Sequence, residues 1–364
     1  MNLFLSVKNK IRNYISKGDS VIACVSGGPD SVAMLDLLFV MRKSEKFRLC
    51  VAHFNHKMRG RESRRDAAYV KKLASSYGLP FIYGEKDINK ISKKSGFGPE
   101  KTAREERYRF FIREASKRKA NKIALGHNLD DNAETMIFRF IKGAGSGALT
   151  GMPPARNIGQ GEFGLKVKKP PVIIRPLISE AGKDIKFYLK KKGIKFRTDS
   201  TNKENLYERN RVRNRLIPFV EENFNKNLKY TLSGTAAILS AENEFIQSVS
   251  DSVYPEIIFK RGRFLRIDAD RLKGINRAVR IRVIRAALKE LLSHHRNITF
   301  NLISDIEEAL LSGKTAHLPE NFELKKKKGK MLFSKRKQKI CRGRAPRGPE
   351  VKCKKNRAKS KNNI

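Results

Sequence analysis

A six-residue segment near the start of the chain has the composition of a phosphate-binding loop. Residues 26–31 read Ser-Gly-Gly-Pro-Asp-Ser and lie between a strand-like apolar segment and a helix-like segment. Gly27 and Gly28 let the backbone approach an anion closely, and the free N–H groups at a helix start attract one. Asp30 would repel phosphate unless a divalent metal ion lay between the two. The segment therefore predicts phosphate binding, with a plain helix cap at a glycine turn as the alternative.

Two other familiar phosphate-binding patterns do not describe this segment. The Walker A pattern G-x-x-x-x-G-K-[ST] does not occur, and no G-x-G-x-x-G follows the first strand-like segment. These observations argue against a Walker A (P-loop) NTPase and against a dinucleotide-binding fold.

Polar side chains also end the second strand-like segment, where residues 51–56 read Val-Ala-His-Phe-Asn-His. Ligands of open α/β sheets bind at the carboxyl ends of strands, so His53, Asn55 and His56 are candidates for contact with a nucleotide. A structural role is the alternative. Because His53 and His56 are three residues apart without a third ligand, we do not expect a metal site here. Arg59, Arg61 and Asp66 continue the polar pattern downstream.

Three further motifs concentrate charge. The first is E-x-x-A-R-x-x-R-Y, formed by Glu100, Ala103, Arg104, Arg107 and Tyr108. Arg104 and Arg107 share a helix face, which suits an anion contact or simply a solvated basic stripe.

The second motif, residues 126–135, reads Gly-His-Asn-Leu-Asp-Asp-Asn-Ala-Glu-Thr and crosses from a strand into a helix. Asp131 and Glu134 are i,i+3 neighbours and could face one ligand. Acids at a helix start are also favoured by the helix dipole alone, which is the alternative for Asp130 and Asp131. The third motif comprises residues 197–202 and 209–214, whose four arginines suit contact with phosphate or RNA.

The segments that must position these motifs alternate between strand-like and helix-like patterns. The strand-like segments are Ser20–Val25, Phe47–His53, Pro80–Tyr83, Lys122–Leu125 and Val172–Ile174. The helix-like segments are Ser31–Arg42, Glu62–Tyr77, Glu100–Arg118, Asp130–Lys142 and Ser179–Lys192. Such alternation predicts an α/β fold with a doubly wound, mostly parallel sheet. Residues 143–171, rich in Gly and Pro, are expected to form a functional or mobile loop.

The second half of the chain has a different pattern. Helices are predicted over Asn227–Val253, Asn276–Ser293 and Asn301–Leu311, followed by strand-like pieces at Ala316–Leu318, Phe322–Leu324 and Met331–Phe333. We therefore expect a catalytic domain over residues 1–217, a smaller, mainly helical domain over 218–334, and a basic, disordered tail over 335–364.

Composition narrows the class of protein. The formal charge is +44 over 364 residues, and the last 30 residues hold thirteen Lys or Arg and one acid. Such a surplus favours a nucleic-acid partner. No apolar run is long enough to span a bilayer, and the start lacks the features of a signal peptide. Four scattered cysteines without C-x-x-C indicate neither a disulfide scaffold nor a zinc ribbon, so we expect a reduced, cytoplasmic protein without a membrane partner.

Together these motifs resemble those of the tRNA(Ile)-lysidine synthetases, a family of the N-type ATP pyrophosphatase (PP-loop) superfamily. Six segments carry the resemblance, in matching order and spacing across residues 20–215: residues 26–31, 53–56, 100–108, 126–135, 174–177 (Ile-Arg-Pro-Leu) and 199–213. It continues more weakly to about Ser334, including Ala-His-Leu-Pro-Glu-Asn at 316–321. Longer family members have a further C-terminal domain associated with acceptor-stem recognition, where we expect only the basic tail.

The resemblance implies a ligase that joins lysine to C2 of cytidine 34 in the CAU anticodon of tRNA(Ile). ATP first adenylates the base, and the lysine amine then displaces AMP, giving lysidine and changing decoding from AUG to AUA. The implied cofactors are ATP and Mg²⁺, the implied partners are tRNA(Ile) and L-lysine, and family members suggest a homodimer.

The resemblance implies that residues 1–217 form the PP-loop ATP-binding catalytic domain and residues 218–334 a tRNA-binding domain. It also assigns roles to single residues. The ATP-binding set is Ser26, Gly27, Gly28, Pro29, Asp30, Ser31, His53 and Asn55, and Asp30 would hold Mg²⁺ through ATP. Asp131 and Glu134 would bind the lysine ammonium. The residues that would bind tRNA are Arg104, Arg107, Arg209 and Arg213. The catalytic set is Asp30, Arg104, Asp131 and Glu134.

Three other functions share parts of this pattern. A related tRNA thiolation enzyme would use a C-x-x-C pair or an iron–sulfur cluster, whereas residues 1–217 hold only Cys24 and Cys50, each inside a strand-like segment. A non-catalytic RNA-binding protein on the same fold fits the charge, although the glycines and acids of the site are all present. A ligase acting on a small molecule leaves the arginine clusters unexplained.

Deleting residues 335–364 should weaken tRNA binding and flatten its salt dependence, because each lost phosphate contact lowers the salt slope by about one. Filter binding of tRNA between low and high salt measures both quantities. Affinity that is unchanged at every salt concentration would exclude an electrostatic role for the tail.

Overall fold

The computed structural model describes residues 3–58, 60–159, 161–197, 208–261, 264–292, 298–327 and 330–335. Three parts of the predicted pattern lie outside the described residues: Arg59, residues 198–202 of the third charged motif, and the predicted tail beyond Lys335. The chain divides into two compact units, Met1–Phe245 and Ile246–Ile364.

The first unit is built on a six-stranded sheet. Its strands are β1 (Ser20–Cys24), β2 (Arg48–Asn55), β3 (Phe81–Glu85), β4 (Lys122–Leu125), β5 (Ala155–Arg156) and β6 (Val172–Ile174). The strand order is β3-β2-β1-β4-β6-β5, and all neighbours are parallel except β5 and β6. The predicted mostly parallel sheet is therefore confirmed. The two-residue strand β5 lies in the segment that we expected to be a loop. It was not predicted, because so short a strand has no periodicity to detect.

Ten helices belong to this part of the described chain, the last of which continues past the division between the units. They are α1 (Leu3–Ile11), α2 (Pro29–Met41), α3 (Arg61–Ser76), α4 (Ile88–Ser95), α5 (Pro99–Lys117), α6 (Leu129–Ile141), α7 (Gly182–Lys191), α8 (Glu208–Arg211), α9 (Ile217–Asn223) and α10 (Leu228–Ile257). A π-helical segment, Val212–Leu216, joins α8 to α9.

Alternation along the strands feeds two separate cores. In β1, Val21 and Ala23 pack into the core covered by α1, α2, α3 and α7, whereas Ile22 and Cys24 pack into the core covered by α4 and α5. Successive strand residues point to opposite faces, so both faces of the sheet are apolar and both need a helical layer. The doubly wound arrangement is therefore confirmed.

The order of the strands creates a crevice. From β1 the chain moves outward through β2 to β3, and it then returns to place β4 on the other side of β1. At such a switch point, the loops after the two central strands diverge and leave space at the carboxyl edge of the sheet. The loops after β1 and β4 carry residues 26–31 and 126–131, the two motifs with the clearest chemistry.

The second unit combines helices with an antiparallel sheet. Its elements are β7 (Ile258–Arg261), β8 (Phe264–Ile267), α11 (Ala269–Gly274), α12 (Arg277–Leu291), α13 (Phe300–Ser312), β9 (Ala316–His317), β10 (Phe322–Lys327) and β11 (Lys330–Lys335). The strand order is β7-β8-β11-β10-β9, and one face of this sheet shares a core with α12 and α13. The three predicted C-terminal strands are present. Strands β7 and β8 were not predicted, because β7 follows α10 directly without a turn signal.

Among the described residues, no helix is both long and apolar enough to cross a lipid bilayer.

A buried carboxylate links three helical segments of the first unit. Asp36 in α2 is 5% exposed and accepts hydrogen bonds from the phenol of Tyr77, just after α3, and from that of Tyr188 in α7. Asp36→Ala should lower the free energy of unfolding by about 2–4 kcal/mol, because it leaves two phenols without their acceptor. Thermal unfolding followed by circular dichroism measures the loss. Asp36→Asn, which keeps the volume and one acceptor, should cost less, and equal costs would contradict this account.

Candidate active site

Gly126, directly after β4, lies against the beginning of α2. A Cβ atom built on Gly126 would lie 2.9 Å from both the backbone N and the Cα of Ser31. Carbon atoms do not approach backbone this closely, so only glycine fits the position. This contact brings the loop after β1 and the loop after β4 together at the switch point of the sheet.

The loop at residues 26–31 is folded around the hydroxyl of Ser31. This hydroxyl donates to the carbonyl of Gly28 (3.0 Å) and accepts from the backbone N–H of Ser26 (3.2 Å). Gly27 has φ +99°, a conformation that favours glycine, and Gly28 begins α2 without a side-chain cap. The uncapped start of α2 therefore presents N–H groups and the positive end of the helix dipole to the crevice.

Residues from two other elements support this loop. The backbone N–H of Arg197 donates to the carbonyl of Gly27 (2.9 Å), and the Arg197 guanidinium pairs with Asp66 of α3 (3.1 Å). His53 at the end of β2 bonds through Nδ1 to the carbonyl of Val25 (2.8 Å). Because a carbonyl only accepts, Nδ1 carries the proton, and burial lowers the pKa of His53 so that the ring is neutral. His53 thus lies beside the loop, while its nucleotide-binding role stays a prediction.

Asn55 is 3% exposed, and both ends of its amide are engaged. The amide nitrogen donates to the phenol of Tyr83 (3.1 Å), and the amide oxygen accepts from the backbone of Lys57 (2.8 Å). These contacts shape the turn after β2. The role of Asn55 in nucleotide binding stays a prediction.

Asn128 connects the two central loops. Its amide nitrogen donates to Asp30 Oδ1 (3.0 Å), and its amide oxygen accepts from the backbone of Asp131 (2.9 Å). In return, Asp131 Oδ2 accepts from the backbone of Asn128 (3.1 Å), which completes a capping box at the start of α6. Sequence reasoning assigned no role to Asn128, although Asn three residues before Asp is the signature of such a box.

Two carboxylic acids in this crevice have raised pKa values. Burial, with a further contribution from the charge of Asp131, raises the pKa of Asp30 to about 6. Burial also raises the pKa of Asp131 itself. Two neighbouring acids that resist ionisation fit a site completed by a cation. The described residues include no group of three or more His, Cys, Asp or Glu able to hold a metal ion by themselves. Mg²⁺ commonly takes one or two carboxylates and completes its shell with phosphate and water.

Glu134 is engaged by two arginines. It is 2% exposed, with Oε2 3.3 Å from Arg209 Nε and Oε1 3.3 Å from Arg213 Nε. The arginines come from α8 and from the π-helical segment, a form of backbone that is frequent at functional sites. Burial raises the pKa of Glu134, and the two guanidinium groups counter that effect.

Positive charge surrounds the end of β4. Arg104 is exposed, with its guanidinium 4.9 Å from the centre of the Tyr108 ring, and burial lowers the pKa of the neighbouring Arg107. Burial also lowers the pKa of His127, and the charges of four arginines lower it further. These arginines are Arg175, Arg107, Arg104 and Arg209. The structure thus brings Arg104, Arg107 and Arg209 into one electrostatic neighbourhood, and it adds Arg175 of the Ile-Arg-Pro-Leu segment.

The first part of the Gly- and Pro-rich segment is attached to α6. The Arg139 guanidinium donates to the carbonyls of Ala148 (2.7 Å) and Gly151 (2.9 Å), and Asn132 Oδ1 accepts from the backbone of Met152 (2.7 Å). Residues 148–152 are therefore held by the same helix that carries Asp131 and Glu134.

Asp130 links three segments that sequence reasoning did not connect. Its Oδ2 accepts from the backbone N–H of Gly182 at the start of α7 (3.2 Å), and its Oδ1 lies 3.2 Å from Nζ of Lys229 in α10. Lys229 also pairs with Glu221 of α9 (3.3 Å). No local sequence signal marks Lys229, because the contact depends on how the helices pack.

This fold and crevice define a PP-loop ATP-binding protein. The PP-loop domain family matches residues 4–220, more than half of the chain. Among solved structures, a U34-tRNA thiolase from Methanococcus maripaludis with its [4Fe-4S] cluster has a similar fold, with a TM-score of 0.53. That likeness has 21% sequence identity and covers 65% of this chain and 78% of the thiolase.

Curated relatives define the family more narrowly. The tRNA(Ile)-lysidine synthase of Clostridioides difficile is 33% identical, over 91% of this chain and 69% of its own length. Those of Caldanaerobacter subterraneus subsp. tengcongensis and of Clostridium perfringens are 33% and 35% identical, over 86% and 82% of this chain. The chain belongs to the tRNA(Ile)-lysidine synthase family. It spans 64% and 60% of the length of the latter two relatives.

The Gly126 contact can be tested by adding one methyl group. Gly126→Ala should weaken ATP binding at least about 10-fold, because the start of α2 must shift to relieve the overlap, and overpacking of this kind costs about 1–3 kcal/mol. Fluorescent ATP-analogue binding measures the effect. Gly145→Ala is the matched control, since a Cβ there would have no neighbour within 4 Å. Equal affinities of the two variants would contradict the proposed close approach.

The raised pKa of Asp30 predicts a pH-dependent change in stability. The folded state binds this proton more tightly than the unfolded state, where the pKa is about 3.9. Stability is therefore lost as the pH rises from about 4, and the loss is complete above about pH 6. Asp30→Asn should therefore raise the free energy of unfolding by about 1–3 kcal/mol at pH 8, and the gain should shrink toward pH 5. Urea unfolding at several pH values measures this. A gain that does not vary with pH would refute the assignment.

Proposed function

We propose that this chain uses ATP to adenylate cytidine 34 in the CAU anticodon of tRNA(Ile) and then transfers lysine to C2 of that base. The products would be lysidine, AMP and pyrophosphate, and decoding would change from AUG to AUA. Membership of the lysidine synthase family supports the reaction, and the net charge of +44 supports a tRNA substrate.

The observation that carries this proposal is the contact of Gly126 with Ser31, together with the Asn128–Asp30 hydrogen bond. It places the start of α2, where ATP phosphates would bind, beside the start of α6, which carries the acids predicted to hold lysine. The first step would bond the α-phosphorus of ATP to the oxygen on C2 and release pyrophosphate, and the second would bond the amine to C2 and release that oxygen with AMP. A single crevice that holds the phosphates and the amine therefore suits the sequence of steps.

The phosphate loop would bind ATP through its backbone. The N–H groups of Gly27, Gly28 and the start of α2, with the hydroxyl of Ser26, would hold the phosphates while the α-phosphate reacts. Pro29, which has no N–H, and the Ser31 hydroxyl, which donates to the carbonyl of Gly28, would shape the loop. Asp30 would hold Mg²⁺ jointly with ATP. When bound, this ion would offset charge that develops on the departing pyrophosphate.

Asp131 is the stronger of the two candidates for the lysine ammonium. Glu134 faces two guanidinium groups, so an ammonium would have to share that carboxylate with them. Asp131 has no ion pair within 4 Å among the described residues, and burial favours an incoming cation that would restore its charged form. Glu134 would then chiefly orient Arg209 and Arg213 toward the tRNA, with Arg104 and Arg107 contacting the same substrate.

The cysteines do not favour the thiolation alternative. Burial raises the pKa of Cys24, and burial raises the pKa of Cys50 to about 11. Both thiols are therefore protonated at neutral pH, whereas sulfur transfer requires a thiolate.

Incorporation of radiolabelled lysine into a tRNA(Ile) transcript with a CAU anticodon tests the proposed function. We expect labelling that depends on ATP and Mg²⁺. Methionine tRNA with the same anticodon is the control and should stay unlabelled. Binding of tRNA(Ile) without any labelling would favour another nucleophile or a non-catalytic RNA-binding role.

Asp131→Asn should raise the KM for lysine at least about 10-fold while changing the KM for ATP much less, because the lost charge faces the ammonium. Steady-state lysine incorporation at varied lysine and varied ATP separates the two constants. Asp130→Asn is the matched control, since Asp130 pairs with Lys229 of the same chain. Equal increases in both constants for Asp131→Asn would instead assign this residue to the metal ion.

A further inference from the structure

The sheet of the second unit has one buried face and one accessible face. Leu265 and Ile267 of β8 are buried in the core against α12 and α13. Because side chains alternate along a strand, Phe264 and Arg266 point to the opposite, outer face. Phe264, the first residue of β8, is 49% exposed.

The pairing of the strands shows which other residues lie on the outer face. Phe259 of β7 lies directly opposite Arg266, Arg266 lies opposite Leu332 of β11, and Leu332 lies opposite Lys325 of β10. These four residues form a row across the outer face. Phe259 is 37% exposed, and the guanidinium of Arg266 lies 4.3 Å from the centre of its ring.

The charge of this region selects a class of partner. Glu323, which precedes Lys325 in β10, is neutralised by an ion pair with it. Residues 246–335 contain nineteen Lys or Arg and ten Asp or Glu. Two exposed phenyl side chains, a guanidinium stacked on one of them and surplus positive charge match the requirements of unpaired RNA, whose bases stack on aromatic side chains and whose phosphates attract cations.

We propose that the outer face formed by Phe259, Phe264 and Arg266 binds unpaired nucleotides of RNA. Bases would stack on the two phenyl rings, and Arg266 and Lys325 would contact the phosphates. This inference rests on the proposed function, in which the RNA is a tRNA. It gives the second unit a contact with a single-stranded part of that tRNA. The binding itself does not depend on lysidine formation.

Fluorescence anisotropy of the full chain with two labelled RNAs tests this proposal, one a 12-nucleotide unpaired strand and the other a blunt 12-base-pair duplex. The double variant Phe259→Ala, Phe264→Ala should bind the unpaired strand about 10-fold more weakly, because each stacked base contributes about 1–3 kcal/mol. Affinity for the duplex should hardly change, since its bases are not available for stacking. The salt dependence should also be unchanged, because no ionic contact is removed.

The chain offers a matched control in Phe300→Ala. Phe300 is a phenylalanine of the same unit that is 60% exposed, but it lies on α13 rather than on the sheet. This variant should bind both RNAs like the wild type. Equal losses for the strand and the duplex, or no loss for either, would overturn the proposal.

Photocrosslinking gives a second measurement on the unaltered protein. An unpaired strand containing 5-iodouridine should form adducts within residues 258–267, because iodouracil reacts with aromatic rings stacked on it. Adducts confined to other segments, or displacement of the strand by poly-glutamate as readily as by unlabelled RNA, would overturn the proposal and indicate an acidic protein partner. If the protein bound and crosslinked the unpaired strand as expected but incorporated no lysine, only the proposed function would be contradicted.

Discussion

The backbone of Gly126 lies so close to the start of α2 that a methyl group would not fit between them. This approach joins the two loops that the sheet would otherwise let diverge at its switch point. Asn128 then bridges to Asp30 and caps α6 at the same time, so one side chain fixes the relative position of both helix starts. In the proposed function, residues 26–31 and the acids of α6 act on one substrate, and this contact is what holds them together.

The same crevice balances buried negative charge against a surplus of positive charge. Asp30 and Asp131 are acids whose burial raises their pKa values, and Glu134 is held between two arginines. Binding of a cation would stabilise such a site, because it would offset the cost of burying the carboxylates. The arginines near His127 would have the opposite effect and attract an anion to the neighbouring edge.

Sequence patterns predicted the parts of the fold that depend on local periodicity. The apolar run at β1, its glycine loop and the alternation of strands with helices predicted a doubly wound sheet and the edge at which the site lies. Features produced by packing were not visible, such as β5, the β7–β8 pair and the Asp130–Lys229 contact. The grouping of residues in the crevice was only partly predictable. Spacing related Asp131 to Glu134, but only the folded chain shows that Glu134 faces Arg209 and Arg213 whereas Asp131 caps its own helix.

The central claim is that one crevice first activates the base with ATP and then admits the amine. Incubating the protein with tRNA(Ile) and ATP labelled at the α-phosphate, without lysine, tests it most directly. The account predicts that label appears in the tRNA and is released as AMP when lysine is added. If the tRNA acquires no label before lysine is added, or if lysine does not release the label, the two steps do not share an adenylated base in this site.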